Sequence, residues 1–456
     1  MDPVTEIVQN PAERRILVVG LARSGLAIAK VLLSSGAAVT GTDRRDSVDD
    51  VDMEVVLGGD HPELVEQAEL LVISPGVPLD APMVTAAAER EVPVVGELEL
   101  ACRLLAERSP VPLLCVTGTN GKSTTAALCA HLMQSAGRKV FLGGNIGLPL
   151  AELLLQEEPV DWAVVEVSSF QLEHLSAPAA LVPRVAVWLN LTPDHLDRHK
   201  TMQEYAAMKR RLFEGQTREH TGVFFLDDPF LVARSHGLGC RVTGFSREPR
   251  RVPADGVVIS GRELELRGGE TGFRLENQRL YGHHNAENAA AAVCAVLAAG
   301  VGPESLQAGL DSYPGLPHRL EPVRELQEVR FVNDSKGTNV EATAKSLTSF
   351  DAPVILLAGG RGKGTNYRPL RAAVSQAVKH LILLGEEQEN LARDLEGCAE
   401  IHLVDSLEAA VELAWKLAEP GEVVLLSPAC ASFDMFDDYA HRGRAFSELV
   451  QALEER

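Results

Sequence analysis

The sequence predicts an α/β protein of three domains in series, and three observations carry that expectation. Short runs rich in Val, Ile and Leu recur along the chain, each followed by glycine or polar residues and then by a helical pattern. Such near-continuous apolar runs are what parallel strands buried on both faces require. Two breaks interrupt the series, Glu107-Arg108-Ser109-Pro110 and Pro314-Gly315-Leu316-Pro317, so domains are expected over 1–106, 107–314 and 315–456. A chain of 456 residues, at ~100–200 residues per domain, has room for them.

Composition narrows the function. Hydrophobic content of 45% and charged content of 23% are those of a globular chain with real cores. The formal net charge of −21 repels nucleic-acid phosphate and anionic lipid, so neither is an expected partner. An anionic ligand would need a local cradle of backbone amides and a few cations. The seven cysteines are scattered, odd in number and without a CxxC pair, which argues against disulfides and a thiolate zinc site. The stretch from Met1 to Arg15 is polar and acidic, and no apolar run reaches ~18 residues. A soluble cytoplasmic protein with no membrane insertion is expected.

The first segment opens with a strand pattern, Arg15 to Gly20, followed by a helical pattern, then Ala38 to Asp43 and Leu70 to Gly76. Gly20-Leu21-Ala22-Arg23-Ser24-Gly25 has the form of a nucleotide turn, with Ala22 where the middle glycine belongs, and Asp43, ~20 residues on, could take a ribose hydroxyl. A Rossmann-like domain holding a nucleotide or diphosphate and a glycine turn made only for packing are both open readings.

The second segment carries the strongest signal, GTNGKST at 118–124, between a strand pattern (Pro112 to Val116) and a helical one (Ala126 to Ser135). Its glycines let the backbone curl so that amides and the helix N-terminus would face phosphate, Lys122 would reach the outer phosphates and the Ser123 hydroxyl would bind Mg²⁺; the alternative is an ordinary glycine turn before a helix. The spacing departs from the usual P-loop: its first glycine would fall at Val116, and Gly118 comes two residues later. Two further strand patterns, Trp162 to Val167 and Val185 to Leu189, end in polar clusters. Glu166 either approaches Mg²⁺ or caps the next helix. His195, in NLTPDHLDRH, either contacts metal or substrate or is structural. Lys209, by pattern alone, is a solvated lysine on a helix face. A β-leaning stretch runs from Thr221 to Leu280, and an alanine-rich helix expected to be buried runs from His284 to Ala299.

In the third segment, strand patterns at Arg330 to Asn333, Val354 to Ala358 and Glu422 to Ser427 each end in a polar or glycine-rich cluster, and a fourth covers His380 to Leu384. Three strand-end clusters suggest a binding face, because ligands of open α/β sheets gather at strand carboxyl ends.

GTNGKST, VEVSSFQLE, NLTPDHLDRH, YGHHNAENAAAA, PHRLE, NDSKGTN and LSPACASFD, in that order along nearly the whole chain, resemble the Mur ligases. The resemblance implies a Rossmann-like UDP-binding domain, a central P-loop-type ATPase domain and a C-terminal Rossmann-like domain. SSFQLE and NDSKGTN point to the member type that joins D-glutamate to UDP-N-acetylmuramoyl-L-alanine in peptidoglycan precursor synthesis, with ATP and Mg²⁺ and through an acyl-phosphate. A monomer is expected. Carried over position by position, Lys122, Glu166, His195 and Lys209 would be catalytic. Gly118, Thr119, Asn120, Gly121, Lys122, Ser123, Thr124, Asn285, Asn288, Arg319 and Asp334 would hold ATP. Ser123, Glu166, His195 and a carbamylated Lys209 would face metal. Arg23, Ser24, Asp43, Arg44, Arg45, Ser74, Asn145, Ser168 and His195 would meet the UDP-linked acceptor. Lys336, Thr338, Lys363, Ser432 and Tyr439 would surround D-glutamate; several members have phenylalanine where Tyr439 aligns. The rivals are another Mur-type ligase or a folylpolyglutamate synthase using a different amino acid, a dinucleotide oxidoreductase built on the first domain, and a nucleotide-binding regulator without catalysis.

Overall fold

Each of the three segments folds around its own sheet in the computed structural model, which describes residues 3–48, 52–177, 180–268, 271–280, 282–362 and 366–455. The first sheet has five parallel strands: β1 (Arg15–Val19), β2 (Ala38–Asp43), β3 (Glu54–Leu57), β4 (Leu70–Ile73) and β5 (Val94–Gly96). Their order is β3-β2-β1-β4-β5. Strand side chains alternate between faces, so Ile16 and Val18 join one core with the helix Arg23–Ser34, while Leu17 and Val19 join another with the helix Pro82–Glu89. The order reverses between β1 and β4, and the crevice at that switch point is where such sheets bind ligands.

The second sheet has nine strands: β6 (Leu113–Thr117), β7 (Val140–Gly144), β8 (Trp162–Glu166), β9 (Val185–Trp188), β10 (Thr221–Phe225), β11 (Arg241–Ser246), β12 (Val257–Ser260), β13 (Glu263–Leu266) and β14 (Gly272–Arg274). The order is β14-β13-β12-β11-β10-β9-β6-β8-β7. Strands β12 to β14 pair antiparallel and the rest parallel, so the β-leaning stretch after Thr221 extends the sheet. Strand β6 lies between β8 and β9, which sets three carboxyl ends side by side. The alanine-rich pattern forms the helix His283–Ala298, with Ala289 to Val296 at most 1% exposed.

The third sheet comprises β15 (Glu321–Leu326), β16 (Val329–Asn333), β17 (Val354–Gly359), β18 (Val378–Leu384), β19 (Glu400–Leu403) and β20 (Val423–Leu426), in the order β15-β16-β20-β17-β18-β19. Only β15 is antiparallel to its neighbour. The helices Leu407–Leu417 and Tyr439–Ala452 cover one face, and Val340–Leu347, Arg371–Ala377 and Gln388–Asp394 the other.

The chain forms two compact units, one from its start to Arg274 with Glu287–Ser312, the other from Leu275–Ala286 with Tyr313 onward. The expected limit after residue 106 falls in the last turn of the helix Glu97–Arg108. The polar N-terminal stretch contains a helix, Pro3–Gln9, because Val4, Ile7 and Val8 fall on one face and are buried in the core that also holds Leu100, Ala101 and Leu104.

Candidate active site

The loop between β6 and the helix Lys122–Ser135 is shaped by backbone that needs glycine. Gly118 has φ +153° and Gly121 φ +85°, in the region closed to most side chains. A Cβ on Gly121 would stand 2.2 Å from Asn288 Oδ1, so this position also lacks space. Asn288 in turn accepts from the Thr125 hydroxyl at 3.4 Å. Asn190, just past β9, fixes the loop from the neighbouring strand end: its Oδ1 accepts from the Thr119 and Asn120 amides at 3.1 and 2.9 Å, and its Nδ2 donates to Asn120 O at 3.0 Å. The Thr119 hydroxyl donates to Thr192 O at 3.2 Å and accepts from Thr192 N at 3.0 Å. Lys122 folds back over the loop, its Nζ donating to Gly118 O and Thr119 O at 3.0 and 2.8 Å.

Oxygen donors gather beside the loop. The Ser123 hydroxyl donates to Glu166 Oε2 at 2.6 Å, and Asn145 Nδ2 donates to Glu166 Oε1 at 2.7 Å. Glu166 is 2% exposed at the end of β8. The helix after it is capped by Ser168, which forms a reciprocal pair with Gln171, so the capping alternative for Glu166 is replaced. The Ser168 hydroxyl, expected near the acceptor, is committed to that cap. Two hard oxygen ligands and an adjacent amide form a set that suits Mg²⁺.

Lys209 corrects the pattern reading. It is not on a solvated helix face but 1% exposed, with Nζ donating to Gly118 O at 2.9 Å and standing 4.5 Å from the centre of the Tyr205 ring. The cause is the apolar side of the helix Met202–Glu214, on which Tyr205, Ala206, Lys209, Leu212 and Phe213 are all buried. Burial first, and then the charge of Lys122, push the Lys209 ammonium well below its ordinary range. His199 stacks on Tyr205 at 5.3 Å and shares a hydrogen bond of 2.9 Å with Ser169. His195 has positive φ, lies 4.8 Å from Phe170 between ring centres, and pairs with Asp194 at 3.5 Å.

A cavity of about 430 Å³ opens at the switch point of the first sheet. Arg23, Ser24, Asp43, Arg44 and Ser74 line it, together with Asn145 and Gly147 from the second sheet's side. Arg23 Nη1 donates to Gly147 O at 3.1 Å, and the Ser74 hydroxyl donates to Gly20 O at 2.6 Å. Asp43 accepts from Leu21 N at 2.7 Å and from Arg45, whose guanidinium holds the carboxyl down at about 2. Arg45 is thus engaged with Asp43 and does not line the cavity, while Arg44 pairs with Asp60 at 2.8 Å. Asn145 belongs to both places: it lines the cavity and touches the carboxylate beside the phosphate loop.

In the second unit, the adjacent ends of β16, β20 and β17 bring NDSKGTN, the turn after Leu426 and the glycines after Ala358 together. Asp334 is fully buried, accepting from the Ser346 and Ser427 hydroxyls at 2.6 and 2.8 Å with Arg319 at 3.6 Å; burial raises its pKa. Lys336 Nζ lies 5.7 Å from the Tyr439 ring centre, Thr338 N donates to Lys336 O at 2.9 Å, and Ser432 is buried. Asn285 is buried in the first turn of the helix His283–Ala298. Lys363 lies outside the described residues. Sequence reasoning missed Arg442, which is buried and donates from Nε to Ser335 Oγ at 3.0 Å and from Nη2 to Ser335 O at 2.9 Å and Cys430 O at 3.3 Å. It ties two strand-end loops together. It also missed the clasp made by Asn190 and Thr192, although both lie in the quoted run; the signal was the adjacency of β9 and β6.

Known proteins share this fold and this succession of domains. Three families match in succession: the Mur ligase MurD-like N-terminal domain over residues 14–96, the Mur ligase middle domain over 116–296, and the Mur ligase glutamate ligase domain over 318–430. The UDP-N-acetylmuramoylalanine--D-glutamate ligase of Geotalea uraniireducens is 44% identical, covering 97% of this chain and 98% of its own. The enzyme of the same name from Myxococcus xanthus is 43% identical, covering 96% and 98%. Among solved structures, UDP-N-acetylmuramate-alanine ligase from Thermotoga maritima has a TM-score of 0.62 at 18% identity, covering 96% of this chain and 99% of that one. The MurF ligase of the same organism, in complex with ADP, has a TM-score of 0.61 at 18% identity, with 98% of each chain covered. The fold, the succession of domains and the sequence of relatives matched almost end to end agree, and the chain belongs to the Mur ligase family.

Proposed function

We propose that this chain is an ATP-dependent ligase that joins D-glutamate to UDP-N-acetylmuramoyl-L-alanine, releasing ADP and phosphate, as the names of its relatives suggest. The observation that carries the reading is the chain of contacts Ser123–Glu166–Asn145, which runs from the phosphate loop to the cavity at the first sheet's switch point. A carboxylate is a poor electrophile. Its oxygen attacks the γ-phosphorus, the bond to the ADP oxygen breaks, and the resulting acyl-phosphate has a leaving group. The D-glutamate amine then attacks the acyl carbon, phosphate departs, and the amine gives up a proton.

Like-charged partners must be held together for the first step, which makes cations the central need. Lys122, now bonded to loop carbonyls, would turn to the outer phosphates. Ser123 and Glu166 would hold Mg²⁺, which neutralises phosphate charge when bound. His195 would approach the metal or the acceptor. Asn145, Arg23, Ser24, Ser74 and Arg44 would seat the UDP-linked acceptor, with Asp43 fixing the turn through Leu21 N. Asn288, Asn285, Arg319 and Asp334 would serve ATP. Lys336, Thr338, Ser432, Tyr439 and Lys363 would serve D-glutamate. We take the domain limits to fall near 106/107 and 314/315. The protein is read as a cytoplasmic monomer; among the described residues no helix is long and apolar enough to cross a membrane.

Lys209 would work as a carbamate. Burial and the nearby Lys122 charge favour the neutral amine, whose nitrogen would attack CO₂, lose a proton and become an anion that faces metal. A bare ammonium does not fit a metal site.

Phosphate release tests the assignment. UDP-N-acetylmuramoyl-L-alanine, ATP and D-glutamate together should liberate phosphate, and Lys122→Ala should lower turnover at least ~10²-fold while the fold is kept. Release with another amino acid and none with D-glutamate would overturn the substrate assignment.

A further inference from the structure

The second unit carries a cluster that the ligation does not use. His380 on β18 pairs in register with Glu400 on β19, and Ile382 pairs with His402. Residues two apart on a strand share a face, so His380, Glu400 and His402 project to the same side at the sheet's edge. Their ligand atoms converge. His380 Nδ1 lies 3.3 Å from His402 Nε2 and 3.3 Å from Glu400 Oε2, and His402 Nε2 lies 3.8 Å from Glu400 Oε1. Among the described residues this is the one group of three such side chains whose ligand atoms all lie within 4.8 Å of one another.

These spacings have a chemical meaning. Zinc binds histidine nitrogen and carboxylate oxygen at ~2.0–2.2 Å, which puts neighbouring ligands of a tetrahedral centre ~3.3–3.5 Å apart. The two distances from His380 fall at that edge length; His402 meets the other carboxylate oxygen at 3.8 Å, and the Glu400 side chain, 66% exposed, has room to turn one oxygen toward both rings. The competing cation is already engaged: Lys379 Nζ is held by Glu419 and Glu422 at 2.8 and 2.9 Å. The two histidines are largely covered, with side chains 10% and 22% exposed, so a bound ion would be shielded on the protein side and open toward solvent.

We infer that His380, Glu400 and His402 form a zinc-type divalent metal site with an open fourth position, clamping the edge strand β19 to β18. The edge strand of a sheet is its weakest-held member, paired on one side only, and β19 is four residues long. A metal here adds a link that holds it. The candidate binding loops follow the carboxyl ends of β16, β17 and β20, whereas His380 lies near the beginning of β18, so the site stands apart from them.

Metal-free full-length protein titrated with Co²⁺ in Mg²⁺-saturated buffer gives the test. One Co²⁺ per chain should bind with the strong visible bands of tetrahedral nitrogen and oxygen coordination, and Zn²⁺ should displace it. His402→Gln should abolish the bands, and Glu400→Gln, at an exposed side chain, should weaken binding at least ~10-fold. Zn²⁺ at a hundredfold excess over Kd should raise Tm by about 5 °C in the parent and not in His402→Gln, with ligase activity equal in both. Absence of the bands in the parent, bands that persist in His402→Gln, or a sulfur-to-cobalt charge-transfer band would overturn the site.

Discussion

Lys209 marks where a sequence is silent about a residue. Its spacing on the helix reads as a surface lysine, and only the packing of Tyr205, Leu212 and Phe213 on the same side makes it a buried amine. Lys209→Ala should be nearly inactive and regain part of its turnover with added formate or acetate, since a small carboxylate restores the missing anion. Failure of rescue in a normally folded variant would count against the carbamate. Glu97 is a second buried ionisable group. It is 2% exposed, accepts from Gln171 Nε2 at 3.2 Å, and has one oxygen without a hydrogen bond. Burial pushes its carboxyl from 4.5 up to about 7. The folded form therefore holds its proton longer than the open chain does, and stability falls as pH rises through that interval, with no further loss above it. Glu97→Gln keeps the acceptor and cannot ionise, so it should be the more stable protein above pH ~7, by on the order of 3 kcal/mol, and flatten the pH dependence of Tm below it. Equal slopes in both proteins would refute this.

Elements were far more legible than residues. The runs at Trp162, Val185, Val354 and Glu422 all became strands, because apolar runs between turns have few other ways to bury both faces. Strand order was not legible: no local pattern tells β6 to lie between β8 and β9, and without that neighbour relation Asn190 is just a polar residue after a strand. The clasp it makes is an element-scale device, because one side chain sets the curl of the loop from the next strand. Asn190→Ala should lower kcat/KM for ATP about 10-fold, roughly the loss of one to two net hydrogen bonds, with kcat less affected than KM. A wild-type KM in that variant would show the loop to be self-supporting. The third sheet shows the converse case. Its three strand-end clusters were legible as loops after strands, and they do lie side by side; Arg442, which joins two of them, was not legible, because an arginine inside a helix carries no sign of burial.

For the whole molecule, the cysteine count gives a usable probe. Cys102, Cys115, Cys129, Cys240, Cys294 and Cys430 are buried and Cys398 is partly exposed, as expected for scattered reduced thiols. A bulky maleimide should label one thiol per native chain quickly and the remaining six only on unfolding; rapid native labelling of several would reveal openings that the closed cores do not suggest. Asn145 has a consequence at the same scale. Its amide reaches Glu166 beside the loop at Lys122 while its body walls the cavity at the first sheet's switch point, so on the proposed reading the two reagents would meet through one side chain before any bond is made. By reciprocity, whatever factor the seated sugar-peptide imposes on nucleotide affinity, the nucleotide must return to it in equal measure. Shortening that side chain would leave each guest its own berth but make each indifferent to the arrival of the other.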